Sequence, residues 1–355
     1  MRKNKKLILV IFFGIQLLIL SQLKHYPEFV EQFYSNGIYQ FLSKLSRYVF
    51  GWLPFSIGDI FYTLAGIYLI RWLIINRKRI VKDTKNWLLD IGATLSLAYF
   101  AFHMLWAFNY YRQPLYKSLN LEAEYTTEQL ITFTERLIKN SNSLQIQLVK
   151  NDTVKVELPY SKTEVLAMVK DGYQSLSEEY PHLEYHPKSI KKSIYSLALT
   201  YMGFSGYINP FTNEAQVNGL IPTYKFPTTS CHEAAHQLGY AAENEANFIG
   251  SLAAIHNKDT YFKYSGYTFA LRYCLAEVYR REPERYETIL PTINKGILKN
   301  YQENQDFWYA YKNPIEPFFE KTFDNFLKAN NQSAGMKSYS YVVALLVNYY
   351  EDKTL

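Results

Sequence analysis

Two histidines and a glutamate form the most informative pattern in this sequence, the HExxH motif His232-Glu233-Ala234-Ala235-His236. Residues four apart on a helix point to the same side, so the two imidazoles can share one metal ion. Glu233 is placed to take a proton from a water that the metal activates. The motif therefore predicts a zinc hydrolase with Zn²⁺ as cofactor and Glu233 as catalytic residue. The alternative is a helix that carries two unrelated histidines.

A catalytic zinc takes three protein ligands and keeps one position for water, so a third ligand is needed. The metzincin pattern HExxHxxGxxH would place it at residue 242, which is Ala242, and this class is excluded. The remaining nearby candidates are Glu243, Glu245 and His256. We expect His256 to be a surface residue, with a transition-state donor as the alternative.

The chain must turn between the motif and either glutamate. On an unbroken helix, Glu243 would face the same way as His236 but lie about 10 Å further along the axis. We expect the motif helix to begin at Pro227-Thr228-Thr229, with either Thr as N-cap, and to end at Gly239. A second helix through residues 244–249 would then aim a carboxylate back at the metal.

Three apolar runs in the first third predict membrane-spanning helices at about residues 6–23, 57–76 and 87–109. Basic residues precede the first run and lie between the second and third, which places both segments in the cytoplasm. We therefore expect a multi-pass protein of the cytoplasmic (inner) membrane whose partner is the lipid bilayer. Its N-terminus would lie in the cytoplasm, and everything after about Tyr111 outside the membrane. Tyr110-Tyr111 would form an aromatic belt, and residues 24–56 an interfacial amphipathic helix.

Composition narrows the class further. Much of the net charge of +6 comes from residues that flank the apolar runs, so it does not predict nucleic acid binding. The two cysteines, Cys231 and Cys274, exclude a disulfide framework and a Cys-rich zinc site. We expect two buried thiols, with a single bridge as the alternative.

The predicted fold is mainly α. A membrane domain (1–111) precedes a helical and hairpin linking region (112–190) and an α-rich HExxH zinc-hydrolase domain with a small β-sheet (191–355). Capping boxes at Thr126 and Ser161 predict two helix starts. The alternating stretch 145–158 predicts a β-hairpin.

Other residues are candidates for substrate contact. The stretch Glu214 to Asn218 alternates like an edge strand, so Ala215, Gln216, Val217 and Asn218 are candidates to pair with a peptide substrate. An ordinary strand of the sheet is the alternative. Further polar residues are candidate donors to a tetrahedral oxyanion, although core packing is the simpler interpretation of each. These are Tyr264, Tyr267, Arg272 and Tyr339.

Two resemblances extend this interpretation. Asn244-Glu245-Ala246 resembles the segment that carries the glutamate ligand of gluzincin metallopeptidases. The chain as a whole resembles the bacterial domain of unknown function 3810 family through four stretches. These are GFSGYINPFTNEAQVN (203–218), CHEAAHQLGYAAENEANF (231–248), YFKYSGY (261–267) and the late FLKANNQSAGMKSYSYVVALL. The resemblance implies a gluzincin-like zinc peptidase with Glu245 as third ligand and Glu243 orienting a ligand histidine, and it implies no substrate.

Together these patterns predict a membrane-anchored zinc metallopeptidase that hydrolyses peptide or protein substrates outside the cytoplasmic membrane. One alternative is a zinc-dependent amidase that acts on envelope or small-molecule substrates. Another is a membrane or sensory protein that binds metal without turnover. The sequence predicts no oligomeric state.

Overall fold

The computed structural model describes residues 3–335 and 341–355 and is mainly helical, as the sequence predicts. The N-terminal part contains α1 (Lys3–Leu23), α2 (Pro27–Phe29), α3 (Tyr39–Phe50), α4 (Ile57–Asn76), α5 (Arg79–Lys82), α6 (Thr84–Leu105) and α7 (Leu115–Ser118). The middle part contains α8 (Thr127–Val149), α9 (Lys162–Ser177), β1 (Ile190–Lys192), α10 (Ser196–Tyr201), β2 (Gly206–Asn209) and β3 (Glu214–Val217). The C-terminal part contains α11 (Phe226–Gln237), α12 (Glu243–Ile255), α13 (Thr260–Arg281), α14 (Pro283–Ile289), α15 (Lys295–Ala310), α16 (Glu316–Ala329) and α17 (Val342–Tyr349).

Within the described chain, α1, α4 and α6 are long and apolar enough to cross a membrane, which matches the three predicted spans. The third ends at Leu105, four residues earlier than expected, and a 3₁₀ segment, Ala107–Tyr111, follows it. Tyr110 and Tyr111 are buried there, so the predicted aromatic belt is wrong. Their hydroxyl-bearing rings pack inside the protein instead of facing outwards.

The segment between the first two spans is helical but does not simply lie on a surface. A π-helix, Val30–Ile38, joins α2 to α3, and Tyr39 at the start of α3 is completely buried. The opposite side of the segment keeps large apolar side chains exposed, among them Phe33 and Phe41. This amphipathic segment therefore joins the membrane part to the remainder of the protein.

Both predicted capping boxes are present, at Thr126 for α8 and at Ser161 for α9. The predicted hairpin at 145–158 is wrong, because α8 continues through this stretch to Val149. Gln145 is fully buried on α8, and its amide donates to the carbonyls of Asn151 and Val154. The alternation of the sequence here reflects one buried helix face and the extended turn that follows.

The sheet has the order β1-β3-β2. β3 pairs in parallel with β1 and antiparallel with β2, so it is the central strand. The expectation that residues 214–218 form an edge strand is therefore wrong. Both sides of the β3 backbone are used by neighbouring strands, which leaves β2 at one edge of the sheet.

One hydrophobic core joins residues from 115 onwards to the motif helix and its neighbours. Tyr173 on α9 donates a hydrogen bond to the carbonyl of Cys231 at 2.6 Å, so the region 112–190 packs directly against α11. Cys231 and Cys274 are both buried free thiols, as expected. The core thus holds α11 between α9, α12 and the sheet.

Candidate metal centre

The motif helix α11 begins at Phe226, with Pro227 in its first turn, where the missing N–H of proline costs no hydrogen bond. Thr228 and Thr229 lie inside the helix, and the Thr228 hydroxyl donates to Ser265 Oγ at 2.8 Å. The predicted threonine N-cap is therefore wrong.

The predicted end of the motif helix is confirmed. Gly239 follows α11 with φ +95°, a conformation that side-chain-bearing residues rarely adopt. The next helix, α12, begins at Glu243. Its Gly250 lies against His232, since a Cβ at this position would come within 2.6 Å of the His232 backbone nitrogen. Glycine at 250 therefore lets the two helices approach closely enough for α12 to face the histidines.

Three side chains converge at this crossing. The Nε2 atoms of His232 and His236 are 3.1 Å apart. Glu243 Oε2 lies 3.4 Å from the first and 3.8 Å from the second. Two ligands on a tetrahedral zinc with bonds of about 2.0–2.1 Å stand roughly 3.3 Å apart, so the three atoms fit one ion.

The proton positions support the same fit. His236 Nδ1 lies 2.7 Å from the carbonyl oxygen of Tyr240, so Nδ1 donates a hydrogen bond and Nε2 keeps its lone pair. Burial lowers the pKa of His236 to about 4, which keeps the imidazole neutral. Burial also acts to lower the pKa of His232, but Glu243 and Glu233 outweigh it and raise that pKa. The arrangement therefore favours a cation, either a proton or a metal ion, between the two imidazole nitrogens and the Glu243 carboxylate.

Glu233 lies beside this triangle. One ligand atom each of His232, Glu233 and His236 lies within 4.8 Å of the others. Burial raises the pKa of Glu233 to about 8, so the carboxyl group can take up and release a proton near neutral pH. Gly206 on β2 leaves the room for it, because a Cβ there would overlap Glu233 Oε1.

The structure does not bring Glu245 to the histidines. Its Oε1 accepts a hydrogen bond from the Leu115 N–H at 2.7 Å. Burial raises its pKa to about 7, against the opposing effect of Arg112. Glu245 lines a different cavity, of about 1260 Å³, which Glu243 does not line. Residues two apart on a helix point in opposed directions, so only one of the pair can face α11.

Sequence reasoning missed Asn247, which lies beside His232 and helps to raise its pKa. Asn247 is one helical turn after Glu243 and faces the same cavity. The four-residue spacing between them was a signal available in the sequence, and it favours Glu243 over Glu245.

Two residues far away in the chain were also missed. Tyr39 and Trp106 both donate towards the carbonyl oxygen of His236, at 3.3 and 3.4 Å. The Trp106 ring lies edge-on to the His236 ring, with centroids 6.2 Å apart. These contacts join distant parts of the chain, and no local pattern predicts them.

The triangle and Glu233 open into a cavity of about 820 Å³. Most of its wall is aromatic or aliphatic, and the polar exceptions include Lys225 and Arg272. Residues of the membrane part also contribute to the wall. These are Tyr62, Phe102, Trp106 and Tyr110.

Of the other predicted candidates, Arg272 lines the cavity, whereas the rest lie elsewhere. His256 follows α12 and its Nδ1 is 2.9 Å from the Leu252 carbonyl oxygen, away from the triangle. Tyr264 is buried and donates to Asn300 Oδ1, and Tyr267 is buried in the core. Tyr339 lies outside the described residues. The strand residues Ala215, Gln216, Val217 and Asn218 are all buried and do not line the cavity.

Comparison with known proteins gives one match. No curated protein and no solved structure matches the chain. The model of one protein family, described as protein of unknown function (DUF3810), matches residues 34–347. This range takes in the second and third spans, the sheet, the triangle of His232, His236 and Glu243, and most of the cavity wall. The chain therefore belongs to the DUF3810 family.

Proposed function

We propose that this protein is a membrane-anchored zinc metallopeptidase that hydrolyses peptide bonds outside the cytoplasmic membrane. The observation that carries the proposal is the convergence of two imidazole nitrogens and one carboxylate oxygen within 3.1 to 3.8 Å, with a second carboxylate beside them. His232, His236 and Glu243 would hold the ion, and Glu233 would act as the general base.

A bound zinc ion supplies Lewis acidity, which makes water acidic enough to lose a proton near neutral pH. Glu233 accepts that proton as the water oxygen attacks the peptide carbonyl carbon. It then gives the proton to the departing amine nitrogen when the C–N bond breaks, so that the products are a carboxylic acid and an amine. Burial of Glu233 supports both steps, because it keeps the proton affinity of the carboxylate high.

The edge strand β2 supports a polypeptide as the substrate. Gly206, Tyr207 and Ile208 all line the cavity. The Asn218 N–H donates to the Ser205 carbonyl, so Ser205 and Asn218 form a hydrogen-bonded pair of the antiparallel ladder. Hydrogen-bonded and non-bonded pairs alternate along such a ladder, so the N–H and C=O groups of Gly206 and Ile208 point away from β3. An extended peptide backbone can pair with such an edge, which a compact small-molecule amide cannot do. Pairing with the substrate backbone, which the sequence suggested for residues 215–218, is thus proposed for β2.

The charge pattern supports the orientation. Arg77, Lys78, Arg79 and Lys82 lie between the second and third spans, and Lys5 and Lys6 lie at the first. With these segments in the cytoplasm, the outer ends of all three spans lie on the side of the HExxH helix. The residues after α6 would then work outside the membrane.

The test uses the full chain in detergent or nanodiscs, loaded with zinc. We expect about one zinc ion per chain by mass spectrometry, and cleavage of a mixed-sequence peptide library. Glu233→Gln should keep the zinc and lose cleavage, since glutamine cannot accept the proton. Cleavage by zinc-loaded Glu233→Gln at the rate of the unchanged protein would refute the mechanism. Cleavage of envelope amides or small amides with no peptide cleaved would replace the peptidase by the amidase.

A further inference from the structure

We propose that the substrate is a membrane-anchored polypeptide, cut a short distance outside the outer surface of the bilayer; this inference rests on the proposed peptidase function. The side chains that carry it belong to the outer ends of two spans, to β2 and to two helices that border the cavity.

The spans themselves form part of the cavity wall. Tyr62 lies five residues into α4 and Phe102 three residues before the end of α6, and both line the cavity beside the triangle. At 1.5 Å per residue these positions are about 7 Å and about 4 Å inside the ends of the spans. The Tyr62 and Tyr207 rings stack with centroids 6.4 Å apart, so span and edge strand meet in the wall. The reacting groups are therefore level with the bilayer surface.

The outer end of α4 is fastened to the sheet by polar contacts. Glu214 on β3 accepts hydrogen bonds from the N–H groups of Ile57 and Gly58, where the helix dipole favours an anion. Asp59, completely buried, accepts from Ser193 and from the Tyr207 hydroxyl. The span cannot move away from β2 without breaking these bonds, so the level of the cavity relative to the membrane is fixed.

Two helices border the cavity with one side, and each also exposes a large apolar side chain. On α10, Ala198 and Leu199 line the cavity, whereas Leu197 is 55% exposed. On α16, Phe323 and Phe326 line the cavity, whereas Phe318 is 66% exposed. We call the exposed apolar side chains on these two helices and just before them the apolar rim; it consists of Ile194, Leu197, Tyr201, Ile315 and Phe318.

The apolar rim is continuous with the spans. The Tyr195 hydroxyl, at the start of α10, donates to the Asp59 carbonyl oxygen of α4 at 3.1 Å. The Phe326 ring of α16 packs against Phe102 of α6, with centroids 6.1 Å apart. Exposed apolar side chains beside the ends of membrane spans are covered by lipid, as in interfacial helices. A polypeptide that emerges from the bilayer at the rim therefore reaches β2 and Glu233 without crossing open water.

The test uses the full chain in vesicles of phosphatidylethanolamine and phosphatidylglycerol. One substrate is a single membrane span followed by a mixed-sequence tail of about 30 residues. The other is the same tail tethered to a lipid head group by a flexible linker of about 30 residues. Both have the same surface concentration, but only the first holds its early residues at the bilayer surface.

We expect cuts in the first tail to lie within about 8 residues of the span, because an extended chain covers only about 3.3 Å per residue. We expect the tethered tail to be cut at least about ten-fold more slowly. Cuts spread evenly along the tail, or equal rates for the two substrates, would overturn the inference while leaving the peptidase intact.

Variants of the apolar rim test it separately. Leu197→Glu with Phe318→Glu should slow cleavage of the span-anchored substrate by about ten-fold or more and leave the tethered tail unaffected. Ile146→Glu, at another exposed apolar position (40%) on α8, is the control and should change neither rate. Equal loss on both substrates would assign the rim to folding and contradict the inference.

A final measurement does not depend on turnover. In the Glu233→Gln protein, a dye on Phe318→Cys should transfer energy to a dye on the early tail of the span-anchored substrate and much less to the tethered tail. Cys231 and Cys274 are buried, so the label is selective. The unchanged protein is assayed for cleavage in parallel. If it cleaves no substrate while Glu233→Gln shows this preference, the peptidase is refuted and the anchored polypeptide is kept as a ligand. Equal transfer would refute the anchored polypeptide.

Discussion

The Tyr39 hydroxyl donates a shared hydrogen bond to the carbonyl oxygens of His236 and Gln237, at 3.3 and 3.1 Å. Tyr39 lies between the first two spans, and the two carbonyls end the motif helix. Carbonyls at a helix C-terminus lack partners within their helix, so Tyr39 completes the hydrogen bonding of the HExxH helix from the N-terminal part of the chain. The segment between the first two candidate spans is thus a structural component of the candidate site.

Tyr39→Phe removes this bond and leaves the buried side-chain amide of Asn213, which donates to the Tyr39 hydroxyl oxygen, without that acceptor. The two carbonyls lose one donor but keep others, Trp106 on His236 and Ser43 on Gln237. We expect a loss of about 1–3 kcal/mol of stability, measured as a fall of a few degrees in the midpoint of thermal unfolding. Tyr48→Phe, at an exposed position of the same helix, is the control and should change little. Equal midpoints for the two variants would show that the Tyr39 bond contributes nothing.

Glu243→Gln and Glu245→Gln separate the two candidate ligands. Loss of a partner that only orients a ligand typically weakens metal binding about 10–100-fold, so loss of a ligand carboxylate should exceed this. We expect Glu243→Gln to weaken zinc binding by more than about a hundred-fold. Glu245→Gln should weaken it by less than about ten-fold, because glutamine Oε1 can still accept from the Leu115 N–H. Zinc titration with a competing chelator measures both, and the reverse order would restore Glu245 as the ligand.

Gly206→Ala tests the position of the base. The added methyl group would overlap Glu233 Oε1 and, next to it, the Gln216 carbonyl oxygen, so the carboxylate must move. A shift of about 1 Å in a catalytic group can cost on the order of a hundred-fold in rate. We expect that loss in kcat with the zinc content unchanged. Gly66→Ala, where a Cβ meets nothing within 4 Å, is the matched control. Full activity of Gly206→Ala would place the proton-accepting group elsewhere.

Zinc removal should destabilise the protein, because the two imidazoles and the carboxylate of the triangle then face one another without the ion. With free zinc at about a hundred times its dissociation constant, binding contributes about 2.7 kcal/mol. Chelation should therefore lower the unfolding midpoint by several degrees, and added zinc should restore it. The His232→Ala, His236→Ala double variant should not respond to the chelator, and a response as large as that of the unchanged protein would point to another zinc site.

Cysteine labelling from outside intact cells tests the orientation. Val81, 86% exposed between the second and third spans, and Lys139, exposed on α8, each receive a cysteine. We expect an impermeant maleimide to label Lys139→Cys at once and Val81→Cys only after the cells are opened. Labelling in the reverse order would place the site in the cytoplasm.

The local features that the sequence predicted correctly are those that depend on few neighbouring residues. The capping boxes at Thr126 and Ser161 and the glycine at 239 each follow from the needs of a helix end. The three spans follow from length and apolarity. The facing of His232 and His236 follows from helical spacing alone.

The errors occurred where tertiary packing decides the outcome. The stretch 145–158 forms no hairpin, because α8 continues to Val149 and its buried Gln145 donates to the carbonyls of Asn151 and Val154. β3 is central because β1, distant from it in the sequence, pairs with its other side. The resemblance favoured Glu245, whereas packing turns Glu243 towards the histidines and Glu245 towards the Leu115 N–H; the ligand itself stays a prediction. The contribution of Tyr39 and Trp106 depends on contacts across most of the chain.

The bonds that Asp59 makes have a mechanical consequence. They join the outer end of a membrane span to Tyr207, which is next to Gly206, and Gly206 packs against Glu233. A span accommodates a thinner or thicker bilayer by changing its tilt. Tilting of α4 would therefore shift β2 and with it the Glu233 carboxylate. For the proposed peptidase, we expect the thickness of the surrounding bilayer to change the turnover rate.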